Sequence, residues 1–175
     1  MFLSSNNKIN ITLCGMMGSG KSVIGKKLAK EIDFKFLDTD KFIEGKVGKS
    51  INKIFIEDGE TFFRKLEEEI VLEILKNKKT VIALGGGSIV NKIIRNSIKN
   101  NSYNIYLDVN IDILVKRLKK SKNRPLIHKK NIYQTIETLI NKRKKFYSKA
   151  DLIIKNDNNI NNIIKIILKE LNSYD

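Results

Sequence analysis

The chain has one cysteine, one proline, no tryptophan and no long apolar run, and these shortages exclude several classes of protein. A single cysteine, Cys14, cannot close an internal disulfide, and because it ends a strongly apolar segment we expect a buried, unreactive side chain. No apolar run approaches the about 18 residues that a membrane span requires. The first ten residues resemble neither a signal peptide nor a transit peptide. We therefore expect a cytoplasmic protein that has no membrane partner.

Acidic residues are also scarce, because 19 aspartates and glutamates stand against 34 lysines and arginines and leave a net charge of +15. Such an excess can indicate nucleic-acid binding. Here, however, lysines such as Lys26, Lys27 and Lys30 are scattered over predicted helix surfaces, and no base-stacking aromatic motif accompanies them. We therefore expect no nucleic-acid partner, and we interpret the positive charge as an attraction for small anionic substrates.

The length of the chain and the order of its apolar segments predict the fold. A chain of 175 residues with 41% hydrophobic side chains suffices for one packed domain and is short for two. Short apolar segments alternate with segments of helical periodicity, which is typical of a parallel sheet covered by helices on both faces. We therefore predict one α/β domain, residues 1–175, with three layers and a five-stranded parallel sheet. The predicted strands are 8–14, 35–37, 80–84, 103–107 and 152–154.

Helical segments are predicted between and after these strands. In the segment 61–76, apolar residues recur every four residues from Phe62 to Ile74, so we expect them near one face of the helix. The asparagine-rich stretch 156–162 is expected to be a turn that leads into the last helix. The predicted helices are 23–32, a stretch after Ser50, 61–76, 91–98, 111–118, 132–147 and 160–171.

Residues 15–22, GMMGSGKS, fit the phosphate-binding pattern G-x-x-x-x-G-K-[ST] at each fixed position. A predicted strand precedes this glycine loop and a predicted helix follows it, which is the context that the pattern requires. Glycines let successive N–H groups point at one anion, and the helix N-terminus adds its positive dipole end. Lys21 supplies a charge for the β- and γ-phosphates of ATP, and Ser22 a hydroxyl for Mg²⁺. The predicted nucleotide-binding residues of the loop are Gly15, Gly18, Ser19, Gly20, Lys21 and Ser22.

Carboxylates and glycines follow the second and third predicted strands, and ligands bind beyond the carboxyl ends of parallel strands. Asp38 and Asp40 follow the second strand, where one carboxylate could reach Mg²⁺ through water and the other a substrate hydroxyl. Asp40 could also be the N-cap of a helix in the following segment, and this alternative does not exclude either of these roles. Gly85, Gly86 and Gly87 follow the third strand, and three glycines there favour close backbone approach to a ligand over an ordinary loop.

Six short segments stand in a distinctive order: GMMGSGKS at 15–22, LDTD at 37–40, DGETFFRKLE at 58–67, LGGGS at 84–88, RPLI at 124–127 and KRKKFY at 142–147. Together they resemble the shikimate kinase family, small relatives of the nucleoside monophosphate kinases, over about residues 10–171. The resemblance implies a P-loop kinase fold with a mobile lid. It also implies ATP-dependent phosphorylation of a shikimate hydroxyl to give shikimate 3-phosphate, in the biosynthesis of chorismate and the aromatic amino acids.

The resemblance also implies which residues act on ATP. Lys21 and the amides of the glycine loop would hold the phosphates, and Ser22 would be a direct Mg²⁺ ligand with Asp38 as an outer one. Arg124 would sit in the lid, about 119–131, and close over the phosphates during catalysis. The expected nucleotide-binding set is completed by Val23, where many relatives have threonine, and by Arg117, which could lie against the adenine.

For the acceptor, the resemblance implies that Asp40 hydrogen-bonds the ring hydroxyls of shikimate, including the attacking one, as an orienting group or a base. Arg64 and Arg143 would grip the carboxylate, and Gly86 would offer backbone donors. A guanidinium matches a carboxylate in a bidentate way that lysine cannot reproduce. An ion pair between Arg64 and Glu67, three residues later on the same helix, would hold the guanidinium in place.

Two alternative functions remain open from the sequence. A gluconate-type or nucleotide kinase shares the glycine loop and the lid. Its acceptor site would not need the full set of Asp40, Arg64, Gly86 and Arg143 together. A nucleic-acid-dependent NTPase would instead use the scattered lysines. Asp108 ends an apolar strand, as a magnesium-binding aspartate often does, but the family does not use this position. By analogy with the family we expect a monomer.

Overall fold

The computed structural model describes residues 10–120, 131–156 and 159–173. Its strands are β1 (Asn10–Cys14), β2 (Lys35–Asp38), β3 (Thr80–Ala83), β4 (Ser102–Asp108) and β5 (Leu152–Lys155). These five strands form one sheet in the order β2-β3-β1-β4-β5, and each adjacent pair is parallel. The predicted parallel sheet is therefore confirmed, and β1, which carries the glycine loop, is its central strand.

Helices connect the strands and cover the sheet. They are α1 (Lys21–Glu31), α2 (Thr39–Val47), α3 (Ile51–Glu57), α4 (Gly59–Leu75), α5 (Lys92–Asn101), α6 (Ile111–Lys119), α7 (Ile132–Tyr147) and α8 (Ile160–Asn172). A short 3₁₀ turn, Ser88–Val90, follows the glycines after β3. Within the described ranges, none of these helices has the length and apolar character needed to cross a membrane.

Two apolar cores lie on opposite faces of the sheet, because successive side chains of a strand point to opposite sides. On one face, Ile11 and Leu13 of β1 pack in a cluster that includes residues of α1 and α8. On the other face, Ile82 of β3 packs in a cluster that includes Ile70 of α4 and Ile94 of α5. The domain thus has the three layers that the alternation of strands and helices predicts.

Helix α2 was not among the predicted helices, although an N-cap role for Asp40 would have required a helix there. It begins at Thr39 because the Asp38 side chain caps it, with Oδ1 accepting from the backbone N–H of Lys41 at 3.3 Å. The N-cap is therefore Asp38, and the alternative N-cap role of Asp40 is wrong. Asp40 lies in the first turn of α2, immediately beyond the carboxyl end of β2.

The buried face of α4 differs from the predicted one. Phe62 is 47% exposed, whereas Phe63 is 3% exposed. Steps of four residues drift by about 40° at each repeat, so Phe62 lies about 120° around the helix from Ile74. The core face instead includes Phe63, Glu67, Ile70 and Ile74.

Cys14 is buried as expected, with 1% of its surface exposed. Burial raises the pKa of its thiol to about 12. Because the thiolate is the reactive form, we expect iodoacetamide at pH 8 to label the folded protein about 10³-fold more slowly than the urea-unfolded protein. Mass spectrometry of both samples over time measures the two rates. Equal rates would contradict the burial of this side chain.

Candidate active site

The glycine loop, residues 15–22, leaves β1 through backbone conformations that favour glycine. Gly15, Gly18 and Gly20 have φ angles of 144°, 80° and 95°. A side chain at Gly15 would also lie 2.8 Å from the carbonyl oxygen of Leu107, so only glycine lets the loop pass this close to β4. Lys21 folds back along the loop, where its Nζ donates to two loop carbonyl oxygens at 2.9 and 3.0 Å. The positive charge of the Lys21 ammonium group therefore lies close to the backbone of the loop.

Helix α1 begins at the end of the glycine loop, and no side chain in the described part of the chain caps it. The N-terminus of such a helix, with its N–H groups and its positive dipole end, favours the binding of an anion. Ser22 Oγ donates to Oδ2 of Asp38 at 2.5 Å, which joins the first turn of α1 to the end of β2. Two oxygen-bearing side chains from different elements thus meet beside the loop.

A cleft of about 430 Å³ opens over the glycine loop. Ala83 and Leu84, at the end of β3, line it together with Asn156 and Ile160, which were not expected from the sequence. Val23 is 57% exposed and is also part of the lining. The expected residues that line this cleft are Gly18, Gly20, Lys21, Ser22, Val23, Asp38, Asp40, Gly86 and Arg117.

Two side chains from the second half of the chain hold the glycine loop by its carbonyl oxygens. Arg117 Nη1 donates to the oxygen of Gly18 at 2.6 Å, and Asn156 Nδ2 donates to that of Ser19 at 2.7 Å. The Ser19 hydroxyl is buried and has no hydrogen-bond partner among the described residues. The only sequence signal for Asn156 was its position after a strand of the same parallel sheet.

Arg64 lines a smaller pocket, which also includes Asp40. Its Nη1 donates to Glu67 Oε2 at 2.6 Å, so the predicted pair three residues apart is present. Its Nε and Nη2 donate to Glu60 Oε1 at 3.2 and 3.1 Å. Burial disfavours the charged guanidinium, but Glu67 and Glu60 more than offset this cost and raise the pKa of Arg64. Arg64 is therefore charged and held in one orientation.

Glu67 connects this arginine to the turn after β3. It is 2% exposed, and its second oxygen, Oε1, accepts from Ser88 Oγ at 2.7 Å. Both oxygens of a buried carboxylate are therefore paired, as burial of such a charge requires. No role was expected for Ser88. The sequence did contain a signal for its partner, because Glu67 has helical spacing from the apolar residues Phe63 and Ile70, and a carboxylate on that buried face needs hydrogen-bond partners.

Arg143 approaches the glycines after β3 from α7. It is 5% exposed, and its Nη1 donates to the carbonyl oxygen of Gly86 at 3.0 Å. The hydroxyl of Tyr147 donates to the same oxygen at 2.7 Å. Burial raises the pKa of Tyr147, which keeps its hydroxyl protonated. Gly86 was expected to offer backbone donors. In the structure, its carbonyl oxygen accepts two hydrogen bonds from side chains of α7. One of these comes from Tyr147, for which the sequence had suggested no role.

Gly85 and Gly87 let charged side chains lie against the backbone. A Cβ on Gly85 would lie 2.7 Å from Asp40 Oδ1 and 2.8 Å from Glu67 Oε1. A Cβ on Gly87 would lie 2.7 Å from Nη1 of Arg64. Any larger residue at either position would therefore displace one of these charged groups.

The cleft and the smaller pocket meet at Asp40 and Gly86, because both residues line both spaces. Lys21 lines the cleft, and Arg64 and Arg143 line the smaller pocket. The arrangement can bind a polyanion over the glycine loop and a carboxylate beside the two arginines. A carboxylate, Asp40, stands between them where it can accept a hydrogen bond from a hydroxyl.

Two residues considered from the sequence lie elsewhere. Asp108 lines neither space, and its Oδ1 accepts from the Tyr106 hydroxyl at 3.0 Å. Arg124 and most of the expected lid, about 119–131, lie outside the described residues.

The glycine loop and Lys21 lie on one side of Asp40, and Arg64 and Arg143 lie on the other. This arrangement defines a P-loop kinase that acts on a small molecule. A family model described as shikimate kinase matches residues 17–172. The chain belongs to the shikimate kinase family. The shikimate kinase of Microcystis aeruginosa is 42% identical over 146 residues, which cover 83% of this chain and 76% of that protein.

Solved structures of shikimate kinases are also similar to this chain. The shikimate kinase from Acinetobacter baumannii in complex with shikimate is 34% identical, with a TM-score of 0.91 over 94% of this chain and 93% of that one. A gluconokinase from Sinorhizobium meliloti is 14% identical, with a TM-score of 0.61 over 96% of this chain and 94% of that one. The gluconokinase therefore shares the fold alone.

Proposed function

We propose that this chain transfers the γ-phosphoryl group of ATP to a ring hydroxyl of shikimate, giving shikimate 3-phosphate on the route to chorismate and the aromatic amino acids. The observation that carries the proposal is the junction at Asp40 and Gly86, which line both the cleft over the glycine loop and the pocket with the two arginines. Donor and acceptor then lie on opposite sides of one carboxylate. Phosphoryl transfer depends on such positioning, because the protein contributes mainly alignment and charge stabilisation.

On the ATP side, the loop amides, the first turn of α1 and Lys21 bind the phosphates. Negative charge spreads over the γ-phosphoryl oxygens in the transition state, so a fixed positive charge beside them lowers the barrier. Arg117 and Asn156 fix the loop by its carbonyl oxygens at Gly18 and Ser19. The N–H of Ser19 donates within the loop to the carbonyl oxygen of Met16 at 3.1 Å, and other N–H groups of the loop bind the phosphates.

The divalent metal that accompanies ATP is Mg²⁺ in this proposal, with Ser22 as a direct ligand and Asp38 as an outer one. Their oxygens lie 2.5 Å apart, and hydroxyl and carboxylate oxygens suit this hard cation. Within the described ranges, no cluster of three or more acidic, histidine or cysteine side chains could hold a metal. Such a cluster is not needed, since Mg²⁺ takes its remaining ligands from phosphates and water and then neutralises phosphate charge.

On the shikimate side, Asp40 orients the attacking hydroxyl, and Arg64 and Arg143 bind the carboxylate. Among the described residues, Arg64 places three of its five N–H groups on Glu60 and Glu67. Two N–H groups remain, which is the number that a bidentate carboxylate needs. Arg143 is buried, so its charge is little screened by solvent.

The remaining features of the proposal come from the sequence. The chain is one domain, residues 1–175, and acts as a monomer without a nucleic-acid partner. A lid at about 119–131 carries Arg124 over the phosphates and excludes water, which suppresses hydrolysis of ATP. Because residues 121–130 lie outside the described residues, this step rests on the family resemblance alone.

A coupled assay of ADP release tests the function against its alternatives. The protein is given ATP with shikimate, gluconate, a nucleoside monophosphate or RNA, and we expect stimulation by shikimate alone. Stimulation by gluconate or a nucleotide would indicate the related kinases. Stimulation by RNA with a steep dependence on salt would indicate a nucleic-acid-dependent NTPase. No stimulation by shikimate would contradict the proposal.

Replacing Arg64 with lysine is expected to raise the KM for shikimate by about 10- to 100-fold, because a bidentate charged contact is lost. The KM for ATP should change less than about twofold, since Arg64 lines the smaller pocket and does not line the cleft over the glycine loop. Steady-state kinetics with each substrate varied in turn measure both constants. The matched control is Lys65→Met, which removes an exposed cation from the neighbouring position on α4. An equal rise in both KM values would contradict the assignment of Arg64 to shikimate.

A further inference from the structure

Arg95 is one of only five arginines in the chain, and none of the roles above involves it. It lies on α5, outside the linings of the cleft and the smaller pocket. Its Nη1 donates to the carbonyl oxygens of Ile89 and Val90 at 2.9 and 2.6 Å. Its guanidinium carbon lies 4.2 Å from the centre of the Phe146 ring. One side chain therefore contacts both the turn after β3 and helix α7.

The two carbonyl oxygens belong to the 3₁₀ turn Ser88–Val90, which directly follows the three glycines of the acceptor pocket. The end of such a turn exposes carbonyl oxygens that need donors, and a cation there also opposes their partial negative charge. Asn91 starts α5 next to this end and accepts from the N–H groups of Ile93 and Ile94. Arg95 thus supplies donors at the point where the turn changes into α5.

The contact between Arg95 and Phe146 lies close to Arg143, one of the two arginines proposed to bind the shikimate carboxylate. Phe146 stands three residues after Arg143 on α7, so the two side chains lie on neighbouring parts of one helix surface. Next to it, Tyr147 donates to the carbonyl oxygen of Gly86, as Arg143 also does. Helix α7 is thus tied to the residues after β3 at two places: by Arg143 and Tyr147 at Gly86, and by Arg95 at the turn.

We propose that Arg95 is a positioning residue for shikimate binding, which fixes Arg143 of α7 relative to the glycines after β3. The inference rests on the proposed function, because it assigns Arg95 to the acceptor pocket described there. Ser88 of the same turn holds Glu67, and Glu67 holds Arg64. Displacement of the turn therefore disturbs both arginines of the acceptor pocket directly. The glycine loop is affected less, because α7 contacts it through the sulfur of Met16, at 3.9 Å from Arg143 and 3.8 Å from Tyr147. Arg117 and Asn156 meanwhile hold the carbonyl oxygens of the loop.

Three variants test the proposal. Arg95→Met removes the charge and the donors while keeping a long side chain, and Arg95→Lys restores a charge and donors without the planar group. Phe146→Leu removes the ring and keeps the hydrogen bonds to the turn. The matched control, Lys99→Met, removes an exposed cation from the same helix, α5. Circular dichroism establishes that each variant is folded, and steady-state kinetics give KM for shikimate, KM for ATP and kcat.

Arg95→Met is expected to raise the KM for shikimate about tenfold, the equivalent of one charged hydrogen bond, and to leave the KM for ATP within about twofold. Arg95→Lys should recover part of this loss, and Phe146→Leu should raise the same constant about threefold. A role in stability alone predicts a lower melting temperature with both constants unchanged, and that result would overturn the proposal.

An equal rise in both KM values for Arg95→Met would also overturn it. If Arg95→Met does not fold, an unchanged KM for shikimate in Phe146→Leu overturns the proposal. Absence of shikimate-stimulated ADP release in the unmodified protein would instead overturn the proposed function, and the role of Arg95 with it. The two failures are therefore distinguishable.

Discussion

Replacing Asp40 with asparagine is expected to lower kcat for shikimate phosphorylation by about 10²- to 10⁴-fold, while ATP binds within about twofold of its normal affinity. Asparagine has nearly the same shape, so it fits against Gly85 as the carboxylate does. It lacks the charge and cannot accept a proton from the attacking hydroxyl. Steady-state kinetics give kcat, and calorimetric titration with ATP gives the affinity.

The matched control for this change is Asp33→Asn. Asp33 is exposed and has a φ of 56°, a conformation that asparagine adopts readily, so the same chemical change there should leave kcat unaltered. If Asp40→Asn instead abolished ATP binding, Asp40 would belong to the nucleotide site and not to the junction between the two substrates.

Replacing Lys21 with methionine is expected to lower kcat by about 10²- to 10³-fold and also to weaken ATP binding. The ammonium group donates to two carbonyl oxygens of the glycine loop, so its removal takes away both a charge for the phosphates and a support for the loop. Methionine retains the length and the apolar stem, so α1 should still form. The same kinetic and calorimetric measurements apply.

Lys26→Met is the matched control for Lys21, because Lys26 is an exposed residue of the same helix, α1. The control separates the effect of one local charge from the effect of lowering the net charge of +15 by one unit. A kcat that Lys21→Met leaves unchanged would contradict the assignment of the glycine loop to the phosphates.

Most of the fold could be predicted because its signals are local. The five strands are short apolar segments, and the glycine loop has a pattern that only one backbone shape explains. Helix α2 was missed because Gly45 weakens its helical signal and its start depends on the Asp38 cap. Packing stabilises it instead, as Ile43 is fully buried in the core.

The candidate site was predictable in part. The rule that ligands bind beyond the carboxyl ends of strands leads to Asp40 and Gly86, but Arg64 and Arg143 lie on helices and were grouped by the family resemblance alone. Tyr147 and Asn156 were missed because they bind backbone carbonyl oxygens 61 and 137 residues away along the chain. Such contacts depend on the folded arrangement, and the position of Asn156 after a strand does not indicate which carbonyl oxygen it binds.

The measurement that tests the assigned reaction most directly is the fate of the γ-phosphoryl group. The protein is incubated with shikimate and with ATP that is labelled in the γ-phosphate, and the products are separated and identified. We expect the label in a phosphate ester of shikimate at the 3-hydroxyl, formed together with ADP. Release of the label as inorganic phosphate, at the same rate with and without shikimate, would contradict the assignment.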